Sequence, residues 1–418
     1  MDRDYGYYLL LSGESNYVIN NFFILSIVNI LTFLFFYKFT PKILANYLPV
    51  SIWIFFQIYL GGLFFCIHNN FSPKFNTSII IYIMTWLPLV CLTIFTSFLK
   101  ISPKVQSSNN YLSSLHKIES YFTSKRFLLS IKFLFYSIIF LLLYLLVNNP
   151  YINQVLLNPR LNYEILHRFN LQFYYTLLAS LVTCIVFCFL ISKSYFHAIL
   201  GFFLLFLTGK RTYIIFPILL LIIVKTVVRC RLPSFKNIFY YIFLTLISVF
   251  LVSYLFLYLA GKDTSSFITQ LASTFDYLGG FNYFIDNSGP GITDGNILSS
   301  TYLSLIPRVI FPDKPEIYGF LLIQDALAPE LFEIAYTPSF FMRFAIPLAD
   351  FGIIGGIAIY TFSTCLYTLP FFTKNLRQKP IFILLYCFLL VDSKLFFWMS
   401  ILLLINFILS RINRYRII

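Results

Sequence analysis

Charge is what this 418-residue sequence has least of. Asp, Glu, Lys and Arg make up 11% of it, where a soluble domain carries roughly 25%. A water-facing surface cannot be assembled from that inventory. Histidine is scarce as well: His68, His116, His167 and His197 are scattered, with no spacing that would gather ligands around a metal. There is no His-Glu-x-x-His, no P-loop and no glycine-rich dinucleotide fingerprint, which argues against metal hydrolysis and ATP-driven transport. The seven cysteines (Cys66, Cys91, Cys184, Cys188, Cys230, Cys365 and Cys387) all fall in or beside apolar runs, so a disulfide framework is not expected. Cys184 and Cys188 are one helical turn apart without further ligands, which points to core packing.

What the sequence does have is apolar length. Hydrophobic residues make up 59% of it, and mean hydropathy is +0.82. Runs long enough to cross ~30 Å of hydrocarbon recur from end to end. The first has no basic segment before it and no small-residue cleavage site after it, so it reads as a retained helix. Spans are predicted near 18–38, 48–68, 77–99, 127–147, 169–193, 195–208, 212–228, 238–260, 345–372, 380–393 and 395–410. The expectation is an all-α polytopic membrane protein of about eleven spans (10–12), a single membrane domain over 1–418 with no separate soluble module. A 14-residue span such as 195–208 covers only ~21 Å at 1.5 Å per residue, so the turn after it can lie below the membrane surface, inside protein.

The net charge of +14 does not indicate a nucleic-acid partner, because it lies in short connections and not on a basic face or tail. It reports topology instead. Lys38 and Lys42, the 100–126 cluster, Lys225 to Lys236, Lys374 to Lys379 and Arg411 to Arg416 mark the cytoplasmic side. Of 16 acidic residues, nine lie between Asp263 and Glu333. The stretch 261–335 is thereby expected to be one large extracytoplasmic loop, and the N-terminus to be outside.

Three charged patches remain that a membrane does not accept without reason. Thr208-Gly209-Lys210-Arg211-Thr212 places two cations where two short spans meet. A guanidinium at membrane depth is costly unless paired or facing a water-filled cavity. Arg211 as a bidentate fork and Lys210 as a point charge suit a phosphate, while the competing reading has both snorkel to the interface. The second patch runs from Ile306 to Pro315, where Pro307, Pro312 and Pro315 fix the backbone. Arg308 and Lys314 are the only basic residues between Lys262 and Arg343, which suits either a ligand clamp or an interfacial anchor. The third is 337–352. Arg343 and Asp350 there are seven apart, on one face of a continuous helix, and can neutralise each other or act chemically. Pro347 between them is expected to bend that helix, and Gly352, Gly355 and Gly356 to permit close helix packing.

In this order the patches resemble those of bacterial oligosaccharide repeat-unit polymerases, the Wzy-type polymerases of O-antigen and enterobacterial common antigen. The shared pattern is Gly-x-Arg at the outer end of a middle span (Gly209 to Arg211), then a long loop ending in a Pro-Arg…Pro-x-Lys-Pro segment (Pro307 to Pro315). A Thr-Pro step (Thr337, Pro338) then leads into a span with Gly-x-x-Gly (Gly352, Gly355). The correspondence covers about 200–360.

The resemblance implies a GT-C-like inverting glycosyltransferase of lipopolysaccharide-type polysaccharide biosynthesis, in the bacterial inner membrane with the large loop periplasmic. Its donor and acceptor would both be undecaprenyl diphosphate-linked oligosaccharides. Beyond membrane lipids, a chain-length regulator and a flippase are the implied partners, with no cofactor, no metal and no nucleic acid. Preorganised cations would stabilise the diphosphate leaving group: Arg211 first, with Lys210, Arg308, Lys314 and Arg343 binding substrate. Inversion needs a base for the acceptor hydroxyl, for which Asp313, Glu316 and Asp350 are candidates. Tyr302, Tyr318 and Tyr336 are candidates for stacking on sugars. The related O-antigen ligases use a histidine in the large loop, and no histidine lies between 261 and 335. A flippase or transporter of lipid-linked sugar is the other alternative, although internal repeats and short external loops, usual in that class, are both missing from this sequence.

Overall fold

The computed structural model describes residues 19–47, 75–98, 118–147, 172–207, 211–229, 277–300, 321–327, 344–372, 380–391 and 393–415, with isolated positions at 234, 254, 303, 311–313, 315 and 319. Among the described residues every regular element is helical. Apart from a short helix over 118–123, in chain order these are α1 (Ile19–Phe39), α2 (Pro41–Tyr47), α3 (Phe75–Phe98), α4 (Lys125–Val147), α5 (Gln172–Ile191), α6 (Tyr195–Leu207), α7 (Arg211–Arg229), α8 (Tyr277–Asp286), α9 (Asn296–Ser300), α10 (Leu321–Leu327), α11 (Ala345–Thr368, continued by a 3-10 turn Leu369–Phe372), α12 (Pro380–Val391) and α13 (Ser393–Tyr415).

The long helices fall where the apolar runs predict spans. Of those runs, 48–68 lies outside the described residues, as does 238–260 apart from Tyr254. Two described helices are long and apolar enough to cross a membrane, Asn76–Phe98 and Ala345–Phe372. A third span is possible if α1 and α2 count as one, bent by 120° between them. The bend has a local cause. Pro41 opens α2, where its missing N–H costs nothing, and the Thr40 carbonyl accepts the N–H groups of Ile43 and Leu44. α5, α6, α7 and α13 contribute shorter described apolar stretches.

The chain divides into two compact units, each built from two separate stretches: Met1–Ser102 with Ile268–Leu369, and Pro103–Phe267 with Pro370–Ile418. The sequence reads as one membrane domain without such a division.

In the second unit α5 is the central element. Residues 179–189 are buried without a break, so this helix is apolar on every side because every side is covered. Phe187 meets Phe388 of α12 edge-on at 4.9 Å, and Phe189 meets Phe135 of α4 at 5.2 Å. The Cys184 thiol donates to the Leu395 carbonyl of α13 at 3.4 Å, and Cys188 is buried beside it, in keeping with the packing role expected of this pair. A Cβ at Gly201 would lie 2.4 Å from Val186 Cγ2, which is why α6 can run so close to α5.

In the first unit α1 and α3 are joined by stacked Phe36 and Trp86 rings (5.7 Å) and by the Trp86 indole N–H donating to Asn29 Oδ1. α3 packs on α11, whose Cys365 thiol donates to the Pro88 carbonyl at 3.6 Å. The elements of the predicted external loop join this core directly. Phe281 and Phe284 of α8, Ile297 of α9 and Ile323 of α10 share one apolar cluster with Leu25, Ile80, Ile81, Met84, Leu348 and Ala349. Every membrane-helix residue in that cluster lies in the N-terminal half of its helix, so the loop sits against the same end of α1, α3 and α11.

Candidate functional site

The site begins with a break in α11. Pro347 was expected to bend this helix, yet it occupies the third helical position, where the N–H it lacks would have no intrahelical partner. The break comes at Gly352 instead, at φ 68° and ψ −175°, a conformation that essentially only glycine adopts. Gly356 then lets the two halves touch, since a Cβ there would stand 2.7 Å from the Leu348 Cα and the Pro347 carbonyl oxygen. The expected glycine-mediated close packing is therefore made at Gly356 within α11 itself, between its two halves.

In an unbroken helix the Leu348 and Ala349 carbonyls would accept from residues four further on, 352 and 353. Here they take N–H groups from the loop: Gly291 donates to Leu348 O at 2.9 Å and Thr293 to Ala349 O at 3.1 Å. The Asp350 side chain completes the dock. Its Oδ1 accepts the Thr293 hydroxyl (2.7 Å) and the Ile297 N–H (3.0 Å), and its Oδ2 accepts the Leu298 N–H (2.8 Å). Ile297 and Leu298 supply the otherwise unpaired amides of the first turn of α9, so a carboxylate from another helix acts as that helix's cap. Asp350 is 6% exposed.

Other contacts hold the rest of the loop. The buried Thr77 hydroxyl of α3 donates to Asn282 Oδ1 (2.9 Å), and Asn282 Nδ2 donates to Asp286 Oδ2 (3.0 Å). α8 ends with Ser288 at φ 58° and the Gly289 N–H returning to the Phe284 carbonyl, the Schellman pattern that closes a helix. Further on, the Ser300 hydroxyl donates to the Asn296 carbonyl (2.5 Å) and accepts the Gly319 N–H (2.9 Å).

The sequence-predicted residues are placed as follows. Asp350 is buried, with Oδ1 accepting from Thr293 and Ile297 and Oδ2 from Leu298, so three of its acceptor positions hold the loop. Arg343, which the sequence offers as a neutralising partner for Asp350, lies outside the described residues. Asp313 is exposed, in a turn with Phe311 and Pro312. Arg211 opens α7 in the second unit. Lys210, Tyr302, Arg308, Lys314, Glu316, Tyr318 and Tyr336 lie outside the described residues.

Thr77, Asn282, Gly291, Thr293, Ser300 and Gly319 were not anticipated as site-building residues. For Gly291 and Thr293 one signal was present: Gly289-Pro290-Gly291-Ile292-Thr293-Asp294-Gly295-Asn296 is a dense run of turn formers, and it is the segment that docks. The first unit also carries an apolar groove of about 490 Å³ between α1 and α3, lined by Leu31, Phe35, Phe36, Tyr82, Trp86 and Val90. Its polar groups among the described residues are the Thr32 and Tyr82 hydroxyls, hydrogen-bonded to each other at 2.9 Å. Comparison with family models, with curated proteins and with solved structures finds no match to this chain.

Proposed function

We propose that this chain is a membrane glycosyltransferase that joins undecaprenyl diphosphate-linked oligosaccharide repeat units into a polysaccharide of the O-antigen type. Two things support the reading. The Gly209–Arg211, Pro307–Pro315 and Thr337–Gly355 patches stand in the order found in the Wzy-type polymerases. The observation that carries most weight is the folded loop: α8, α9 and α10 are built into the core beside α1, α3 and α11. Such a loop suits an enzyme that handles large carbohydrate at the membrane surface. A flippase that only passes its cargo across has less use for one.

In this reading the glycosidic carbon of the donor leaves its diphosphate oxygen as the acceptor hydroxyl attacks from the opposite face. The hydroxyl proton goes to a base, and undecaprenyl diphosphate departs with the bonding pair. Arg211 and Lys210, with Arg308, Lys314 and Arg343, are the cations proposed for the diphosphate groups. Of the three carboxylates considered as base, Asp313 is the one described as exposed. Asp350 is held by α9, and Glu316 lies outside the described residues.

The test is a gel of surface polysaccharide from cells lacking this gene, complemented with the intact chain, Arg211→Ala or Arg211→Lys. The intact chain should restore a ladder. Arg211→Ala should leave core bearing a single repeat unit, and Arg211→Lys should restore the ladder only in part, because the bidentate fork is lost. Bare core without any repeat unit in the deletion strain would remove the polymerase reading in favour of a flippase or ligase.

A further inference from the structure

We propose that Asp350 is a positioning residue: through α9 and the Ser300 hydroxyl it mounts the loop that carries the Pro307–Pro315 segment. For its functional half the inference rests on the polymerase reading; its structural half rests on hydrogen-bond geometry alone.

The mount has three members in series. The first is the broken helix, where Asp350 gathers three donors: the Thr293 hydroxyl and two backbone amides of α9. All three point hydrogens at the side chain, so only a group that accepts on both oxygens serves. Asparagine in the same place would turn an NH₂ toward at least one of these donors. With its oxygen kept on the Thr293 hydroxyl and the buried Ile297 amide, its NH₂ would face the Leu298 N–H, donor against donor, and one of the two bonds that cap α9 would be lost.

The second member is α9 itself. It has five residues, too few to stand without capping from outside, since its leading amides have no partners within it. With Asp350 in place its orientation is fixed relative to α11, and so is the direction of Ser300 at its far end.

The third member is the bond from the Gly319 N–H to Ser300 Oγ, at 2.9 Å across a separation of 19 residues. The Ser300 proton is committed to the Asn296 carbonyl, which orients a lone pair toward Gly319 and polarises it. Gly319 is buried with φ at 61°, and its own carbonyl accepts the Leu322 N–H at the start of α10. The Tyr283 hydroxyl reaches the Leu327 carbonyl at the other end of α10. The stretch from Ser300 to Gly319 is thus a loop with its two ends pinned together, and Pro307, Arg308, Asp313, Lys314 and Pro315 all lie between the pins. The base of that stretch is anchored to Asp350.

Hydrogen–deuterium exchange on the full chain in lipid nanodiscs, read beside the polysaccharide ladder, tests the proposal. Asp350→Asn should speed exchange in peptides covering 291–300 and 317–322, on the order of a hundredfold, and shorten or abolish the ladder. Ser300→Ala is the milder variant and cuts only the last link. It should speed exchange around Gly319 by about tenfold, leave the Asp350 contacts of 291–298 protected, and shorten the ladder. Ser300→Thr should restore both, and Ser299→Ala, whose hydroxyl donates among the described residues to the Asn296 carbonyl, should match the intact chain. Unchanged exchange around Gly319 in both Asp350→Asn and Ser300→Ala overturns the mount. Faster exchange with a full-length ladder overturns the positioning role. A deletion strain with no polymerisation defect removes the reaction, yet leaves the exchange arm to decide the mount by itself.

Discussion

α5 and α11 are both membrane-type helices, yet they are held in opposite ways. α5 is fixed by contact on all sides: Phe187 against Phe388, Phe189 against Phe135, and the glycine at 201 letting α6 close in. Shape carries most of that arrangement, with the Cys184 thiol to the Leu395 carbonyl as a directed contact beside it. α11 is fixed by direction. Its Leu348 and Ala349 carbonyls and its Asp350 carboxylate each meet a particular donor on a loop more than fifty residues earlier in the chain. Dispersion contacts rigidify a bundle and are indifferent to sequence detail so long as volume is kept. Converging hydrogen bonds tolerate little substitution, and they are what aims a loop.

The largest expected break in this comparison is Phe187→Ala. Deleting a fully buried ring in α5 should destabilise the chain by about 3–5 kcal/mol, read as a lower unfolding temperature in detergent, while exchange in 291–300 stays as in the intact chain. A loop that loosens together with α5 would show that the two kinds of fixing are not independent. Gly352→Ala comes next. There is open space around the missing Cβ, so the cost is conformational, about 1–3 kcal/mol for an L-residue held at that backbone angle. Its signature should be loosening of 291–300, since straightening the break returns the Leu348 and Ala349 carbonyls to helical donors. Thr293→Val sharpens the comparison at the small end. It removes one hydroxyl from Asp350 at nearly constant volume, for about 1 kcal/mol, and Thr293→Ser should show no loss.

The contrast also explains which parts were legible in the sequence. α1, α3, α4 and α5 begin and end within a few residues of the predicted spans because an apolar run in a charge-poor chain has sharp edges at clusters such as Lys38 and Lys42. The break in α11 was legible as a fact and misplaced as a position. Proline announces itself wherever it stands, but in the first helical turn it does no harm, whereas a need for positive φ at Gly352 leaves no local trace. Asp350 was recognised as a charge requiring a partner, and Arg343 was the partner in reach along the sequence. The donors among the described residues include main-chain amides, which every residue but proline carries, so no residue type could have marked them. For Ser300 and Gly319 the same holds: a serine and a glycine nineteen apart are unremarkable until a turn brings them together.

The division of the chain into units has a consequence for how the protein is made. The first unit takes its helices from both ends of a long interruption, Met1–Ser102 and Ile268–Leu369. A ribosome adding roughly 5–20 residues each second needs on the order of 10–50 s to travel from the end of α3 to the start of α11. Throughout that interval α1 and α3 are already synthesised, with the Thr77 hydroxyl and the Ile80–Met84 face still lacking the residues that will cover them. Half of one structure has to be stored in the bilayer while much of another is threaded past it. The insertion machinery therefore meets the first unit with α1 and α3 in hand and the partners of Thr77 and of the Ile80–Met84 face still to be made.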